Sequence, residues 1–97
     1  MEIKKTQNGT ALSVQVIGRL DTTTAPELEK ELADISSVTS LVLDFANLEY
    51  ISSAGLRVLL ALQKTMSKKD GMKVCNVNSD IMEVFEITGF SDMLTIE

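Results

Sequence analysis

Residues 41–60 read LVLDFANLEYISSAGLRVLL, an apolar run that passes through a short polar turn into a second apolar segment with helical spacing. Leu41 to Phe45 is almost unbroken in apolar character, the pattern expected of a central strand covered on both faces. The second apolar segment predicts a helix from about Ser53 to Lys68, so Ser52 and Ser53 stand at its start. Four backbone N–H groups at a helix start lack intrahelical acceptors, and the macrodipole favours negative charge there. A serine in this place is suited to carry a phosphate. Serine is also a favoured N-cap, and spacing alone favours that simpler role for Ser52 and Ser53.

Projected at about 100° per residue, Val58, Leu59, Leu62 and Met66 share the core face of this helix. Leu56 and Leu60 lie further round, among Gln63, Lys64 and Ser67. Two outcomes are open for them: they face a partner, or neighbouring loops and the preceding helix cover them.

Upstream, Leu12, Val14 and Val16 alternate with Ser13 and Gln15, and the Asn8-Gly9 turn signal predicts that Glu2–Thr6 folds back on this strand as a hairpin. Thr24-Ala25-Pro26-Glu27 has the spacing of a capping box, with Pro26 in the first turn where its missing donor costs nothing. Leu28, Leu32 and Ile35 then form one apolar stripe, and the helix is expected to end near Ser36. Downstream, Met72–Val77 reads as a strand after the Lys69-Asp70-Gly71 turn. Asn78 or Ser79 can cap a helix carrying Ile81, Val84, Phe85 and Thr88, with Gly89 at its left-handed end, Phe90 folding back and a short strand over Met93–Ile96. Strands alternating with helices after a hairpin predict an α/β fold, a mixed sheet of about five strands packed against three to four helices.

The 97 residues suit one domain, with 44% hydrophobic and 24% charged residues and no linker or low-complexity stretch. A net charge of −5, with nine Lys and Arg scattered singly or in pairs, provides no basic stripe for nucleic acid. No apolar run approaches the ~20 residues that span a bilayer, and the N-terminus MEIKKTQNGT has no signal core, so a cytoplasmic location is expected. Cys75 stands alone in an apolar stretch and reads as a core thiol.

Catalytic patterns are largely missing. The chain has no histidine, which removes the usual base for a serine nucleophile and the commonest zinc ligand. Ser53-Ala54-Gly55 is half of a nucleophile elbow, but Ile51 occupies the place of its first glycine, and no phosphate-binding glycine motif occurs. Asp21, Asp44 and Glu49 could in principle meet around a hard cation, yet each has a structural role available: Asp21 opens the turn into the first helix and Asp44 ends a strand. We therefore expect no catalytic residue, no metal and no cofactor.

The block Asp44–Leu56, DFANLEYISSAGL, resembles the signature of the STAS domain, the family of sulphate transporters and anti-sigma factor antagonists, and Ile17–Thr22, IGRLDT, resembles that family's second landmark. The element order agrees too, so the resemblance covers residues 1–97 as a single STAS domain. It implies an anti-sigma factor antagonist: the unphosphorylated form binds an anti-sigma factor that is itself a serine kinase, the kinase phosphorylates and thereby releases it, and a serine phosphatase resets the cycle. The family's Asp-Ser-[Ser/Thr]-Gly-Leu motif places the phosphorylated serine at Ser53, with Ser52 second, Ala54 in the Ser/Thr position, and Gly55 and Leu56 matching. Ser52 replaces the family's aspartate, which removes a charge beside the acceptor. Asp21 and Thr22 belong to the second landmark, on the same edge as the serine turn; with Ser52, Ala54, Gly55, Leu56, Arg57 and Leu60 they form the expected partner-binding set. A STAS scaffold or regulatory subunit that is never phosphorylated, in a stress-signalling complex or beside a lipid or anion transporter, is the alternative, and a small serine-dependent enzyme, which would lack a general base, is the more remote one.

Overall fold

The computed structural model describes residues 1–97, and its chain opens with a hairpin: β1, Glu2–Asn8, runs antiparallel to β2, Ala11–Leu20. Asn8 pairs with Ala11, so the tip is Gly9-Thr10 rather than Asn8-Gly9. Gly9 takes φ +65° at the first central position, which the primed hairpin turns require. Next come α1, Ala25–Glu31; β3, Ser40–Asp44; β4, Leu48–Ile51; and α2, Ser53–Met66. The chain closes with β5, Met72–Cys75; α3, Ser79–Thr88; α4, Phe90–Met93; and β6, Thr95–Ile96.

The strands form a mixed α/β sheet in the order β1-β2-β3-β5-β6, antiparallel only at the hairpin, with β4 joined to β2. At ten residues β2 is long enough to hold β3 along Ala11–Gln15 and β4 along Gly18–Leu20. The register shifts between Gly18 and Arg19, where Gly18 adopts φ +99° and its N–H donates to the Asn47 carbonyl at 2.9 Å. A bulge of this kind turns the end of a strand. It hands β2 from one partner to the next.

Twenty-four apolar residues from every helix except α4 and every strand except β1 and β6 make one core, with no buried polar residue in it. Leu12, Val14, Val16, Leu41, Leu43, Met72 and Val74 bury one face of the sheet, while Ser13, Gln15 and Lys73 on the other are exposed and Val42 is half-buried. The central strand is thus covered on one face only, which corrects the expectation of two covered faces. The alternation is hard to read because Val42, on the open side, is as apolar as its neighbours.

Two further local expectations change. The first helix ends at Glu31, not near Ser36, although Leu28, Leu32 and Ile35 are all buried as the stripe requires. Beyond it Ser36 Oγ donates to Asp34 (3.1 Å), the local bonding with which such residues compete against a helix. The Lys69 ammonium donates to the carbonyls of Ile35 (2.9 Å) and Val38 (2.8 Å), fixing the segment in its non-helical path. The capping box is not formed either, because the Thr24 hydroxyl turns backward, donating to the Arg19 carbonyl (2.7 Å) and accepting from the Asp21 N–H (2.8 Å). Of the two candidates for the third helix, Asn78 is the cap, its Oδ1 accepting from the Ile81 N–H at 2.9 Å. Gly89 ends that helix with φ +83°.

Candidate functional site

The site is built where two parallel strands end together. Leu20 of β2 pairs with Ile51 of β4, and the next N–H, that of Ser52, donates to the Leu20 carbonyl at 2.9 Å. This bond brings the start of α2 against the exit of β2, so the serine turn and Asp21 share one edge. In α/β sheets the carboxyl ends of parallel strands are the usual place for a functional site.

At that edge the two serines have different positions. Ser52 is the N-cap of α2, in extended conformation, half-buried, with its Oγ accepting from the Gly55 N–H at 3.4 Å. Its carbonyl accepts from the Leu56 N–H at 2.9 Å. Ser53 is the first helical residue and is exposed, and its hydroxyl makes no hydrogen bond within the protein. The N–H groups of Ser53 and Ala54 donate to no protein acceptor, the condition that elementary helix geometry imposes on a first turn.

Gly55 sets how closely this turn approaches the strands. A Cβ built there would lie 2.8 Å from Leu20 Cγ and 2.8 Å from Ile51 Cγ1, so only a hydrogen fits between α2 and the ends of β2 and β4. Gly55 and Leu56 are buried, Leu56 at 8% exposure, and Leu60 is half-buried. Of the two outcomes open for Leu56, coverage by the protein itself is the one realised. It and Gly55 support the edge from beneath. Thr22 and Arg57 are exposed, and Ala54 is half-buried against the core.

Asp21 is spent on the turn it opens. Its Oδ1 accepts from the Thr23 hydroxyl (2.8 Å), the Thr23 N–H (3.0 Å) and the Thr24 N–H (3.2 Å). The Thr23 hydroxyl bond, foremost among these, holds the Asp21 carboxyl below the usual carboxylate range. Its other oxygen lies 3.8 Å from Arg19 Nε, and the Arg19 guanidinium stands 4.3 Å from the centroid of the Tyr50 ring. Arg19 and Tyr50 are direct cross-strand partners and both are exposed, Tyr50 at 42%.

Patterning in the sequence does not reveal this stacked pair, because Leu48–Ile51 reads as part of a turn. The alternation that places Tyr50 beside Arg19 appears only once Leu48–Ile51 is paired with β2. Another tie lies behind the edge: Asn78 Nδ2 donates to the Leu48 carbonyl at 2.9 Å, linking the cap of α3 to β4. Asp44 accepts from the Ala46 N–H and from Asn76 Nδ2, both at 3.0 Å, and no trio of acidic or thiol groups is placed to hold a metal ion. No helix is long and apolar enough to cross a membrane.

Comparison with known proteins agrees with this architecture. The chain is 38% identical over 82 residues to a protein of Bordetella bronchiseptica provisionally named anti-sigma factor antagonist BtrV, covering 81% of this chain and 71% of that one. The crystal structure of an anti-sigma factor antagonist from Mycobacterium paratuberculosis superimposes with a TM-score of 0.87 at 24% identity, over 98% of this chain and 83% of that one. The Bacillus cell-fate determinant SpoIIAA, solved in its phosphorylated form, superimposes with a TM-score of 0.78 at 15% identity, over 99% and 91%. The model of the STAS domain matches residues 2–97, and with the serine edge, the bulged strand and the sheet order in place the chain belongs to the STAS domain family.

Proposed function

We propose that this protein is an anti-sigma factor antagonist whose binding is switched at Ser53. Unphosphorylated, it docks on an anti-sigma factor with serine kinase activity and so frees a sigma factor for transcription. Phosphorylation of Ser53 ends the complex, and a serine phosphatase restores it. The observation that carries this reading is the division of labour between the serines: Ser52 holds the cap while Ser53 presents an uncommitted hydroxyl at the first position of α2. The name of the Bordetella relative and the phosphorylated state of the Bacillus protein support it.

The switch works through local charge. A phosphoryl group adds about −1.5 to −2 charges, and the uncommitted first-turn N–H groups with the helix dipole accommodate it without unfolding the domain. A partner surface shaped for a neutral hydroxyl would have to bury a hydrated dianion on the edge that also carries Asp21. A micromolar complex is held by only about 8 kcal/mol, so a penalty of several kcal/mol dissociates it. Thr22, Arg57, Arg19 and Tyr50 supply the exposed contacts, with Ser52, Ala54 and Leu60 beside them.

Ser52 in place of the family's aspartate favours a second reading, a STAS scaffold or regulatory subunit that is not phosphorylated. Binding and mass measurements separate the two. Ser53→Ala is expected to fold and bind the kinase partner while resisting modification, whereas Ser53→Asp folds and binds poorly. Protein from its native cell should carry an addition of about 80 Da at Ser53, the mass of one phosphoryl group. Equal binding by both variants, with no added mass in any growth condition, would discard the switch and leave the scaffold.

A further inference from the structure

The end of the chain carries charge of one sign. From Asn76 to Glu97 there are five carboxylates, Asp80, Glu83, Glu86, Asp92 and Glu97, and no lysine or arginine. Glu97 is paired with Lys73 (3.1 Å), while the four on α3 and α4 are exposed and make no ion pair.

In their midst stands the most exposed large apolar side chain of the protein. Ile81 and Phe85 bury the inner face of α3. Ile87, two residues after Phe85 and so about 200° round the helix, is 78% exposed. At that heading its helical neighbours are Glu83, four residues earlier, and Asp80, seven residues earlier, while Glu86 lies about 100° to one side. Four residues past Gly89, Met93 of α4 is exposed as well.

Asp80 and Asp92 lie in first turns, where the helix dipole favours a carboxylate, but the rest of the arrangement works against folding. Carboxylates three apart, Asp80 with Glu83 and Glu83 with Glu86, repel. The last turn of α3 has no basic residue and holds Glu86 at the negative end of the dipole. An apolar side chain set in a charged rim is instead the layout of a binding surface, where one desolvated anchor is ringed by polar groups.

We propose that the outer face of α3 is a docking surface for a basic protein segment that presents an apolar side chain to Ile87, an amphipathic helix with lysine or arginine flanking its apolar stripe. Charge selects this occupant. Anionic lipid and nucleic acid are repelled by Asp80, Glu83, Glu86 and Asp92, and a second copy would set identical carboxylates against one another across a two-fold axis. The surface is built on elements other than the Ser53 turn and does not rest on the phosphorylation reading.

The probe is a synthetic amphipathic helix of about 18 residues, five turns, with leucine on one face and lysine on the other. It is titrated into the isotopically labelled full chain and followed by NMR. Shifts confined to Asp80–Ile87 and Asp92–Met93 are expected. Ile87→Ser should weaken binding about tenfold, equivalent to about 1.4 kcal/mol, and Glu83→Lys with Glu86→Lys should abolish it. The control is Asp70→Lys in the turn before β5, an exposed carboxylate away from Ile87 and Met93; it should leave the affinity unchanged. Melting curves verify that each variant is folded. The proposal is overturned by equal losses in the control, by shifts spread over every acidic surface, by no binding at all, or by self-association that Ile87→Ser removes.

Discussion

Replacing Gly55 by alanine sets two effects of opposite sign against each other. As an isolated helical substitution Gly→Ala stabilises, by up to about 1 kcal/mol in a helix interior and by less in a first turn. Here, however, the added methyl would meet Leu20 Cγ and Ile51 Cγ1 at 2.8 Å and Leu20 Cδ2 at 3.1 Å. Favourable carbon–carbon contact lies near 3.5–4.0 Å, so the neighbours must yield by roughly 1 Å. Leu20 is 0% and Ile51 4% exposed, so both are enclosed by the core and cannot turn out into solvent without disturbing it. Overpacking of this kind costs about 1–3 kcal/mol. The balance is a net loss of about 1–2 kcal/mol, which for a domain of this size lowers Tm by roughly 5–15 °C. Urea unfolding followed by far-UV circular dichroism measures it directly. The same displacement moves the start of α2 off the strand ends, so binding at the Ser53 edge should weaken beyond what the unfolded fraction explains. A Gly55→Ala protein as stable as the parent, or more so, would mean that propensity outweighs packing at this position and would refute the steric argument.

Asn78→Ala removes both the α3 cap and the tie to the Leu48 carbonyl; it should destabilise by about 2 kcal/mol, from a cap worth about 1 and a hydrogen bond worth about 1. Asn78→Asp keeps the cap acceptor and should recover roughly half of the loss in the same unfolding assay. For Asp21 the folded carboxyl is held below its ordinary value of 3.8, so its contribution to stability is present above that pH and is lost as pH falls through the lower folded value. The stability difference between the parent and Asp21→Asn should accordingly be constant near neutrality and close only below about pH 3.8, read from melts across the acid range. Burial, then the charges of Asp44 and Glu97, push the Cys75 thiol above its usual range. Iodoacetamide should thus modify the folded protein at pH 8 far more slowly than the urea-unfolded chain.

Much of this molecule is legible in one dimension because local chemistry decides it. The hairpin comes from alternating apolar residues around a turn signal, the stripe of α2 from helical period, and the end of α3 from a glycine free to take positive φ. The serine pair can be placed at a helix start for the same reason. Division of roles between Ser52 and Ser53 cannot, since either serine satisfies a cap and only the backbone path shows which one provides it.

Other features depend on partners distant in sequence. Whether Leu56 meets solvent, whether Leu48–Ile51 is turn or strand, and where α1 stops are settled by β2, by the surrounding core and by Lys69, which lies 31 residues from the carbonyl of Val38. The order of residues is enough to specify the α/β alternation, the apolar faces and a hydroxyl at the second helix. Three-dimensional packing had to supply the rest: Gly55 as a point of contact, Arg19 stacked on Tyr50, and Ile87 left outside the core. Periodicity records which side chains prefer burial, whereas the strand register and the distance between elements decide which of them receive it.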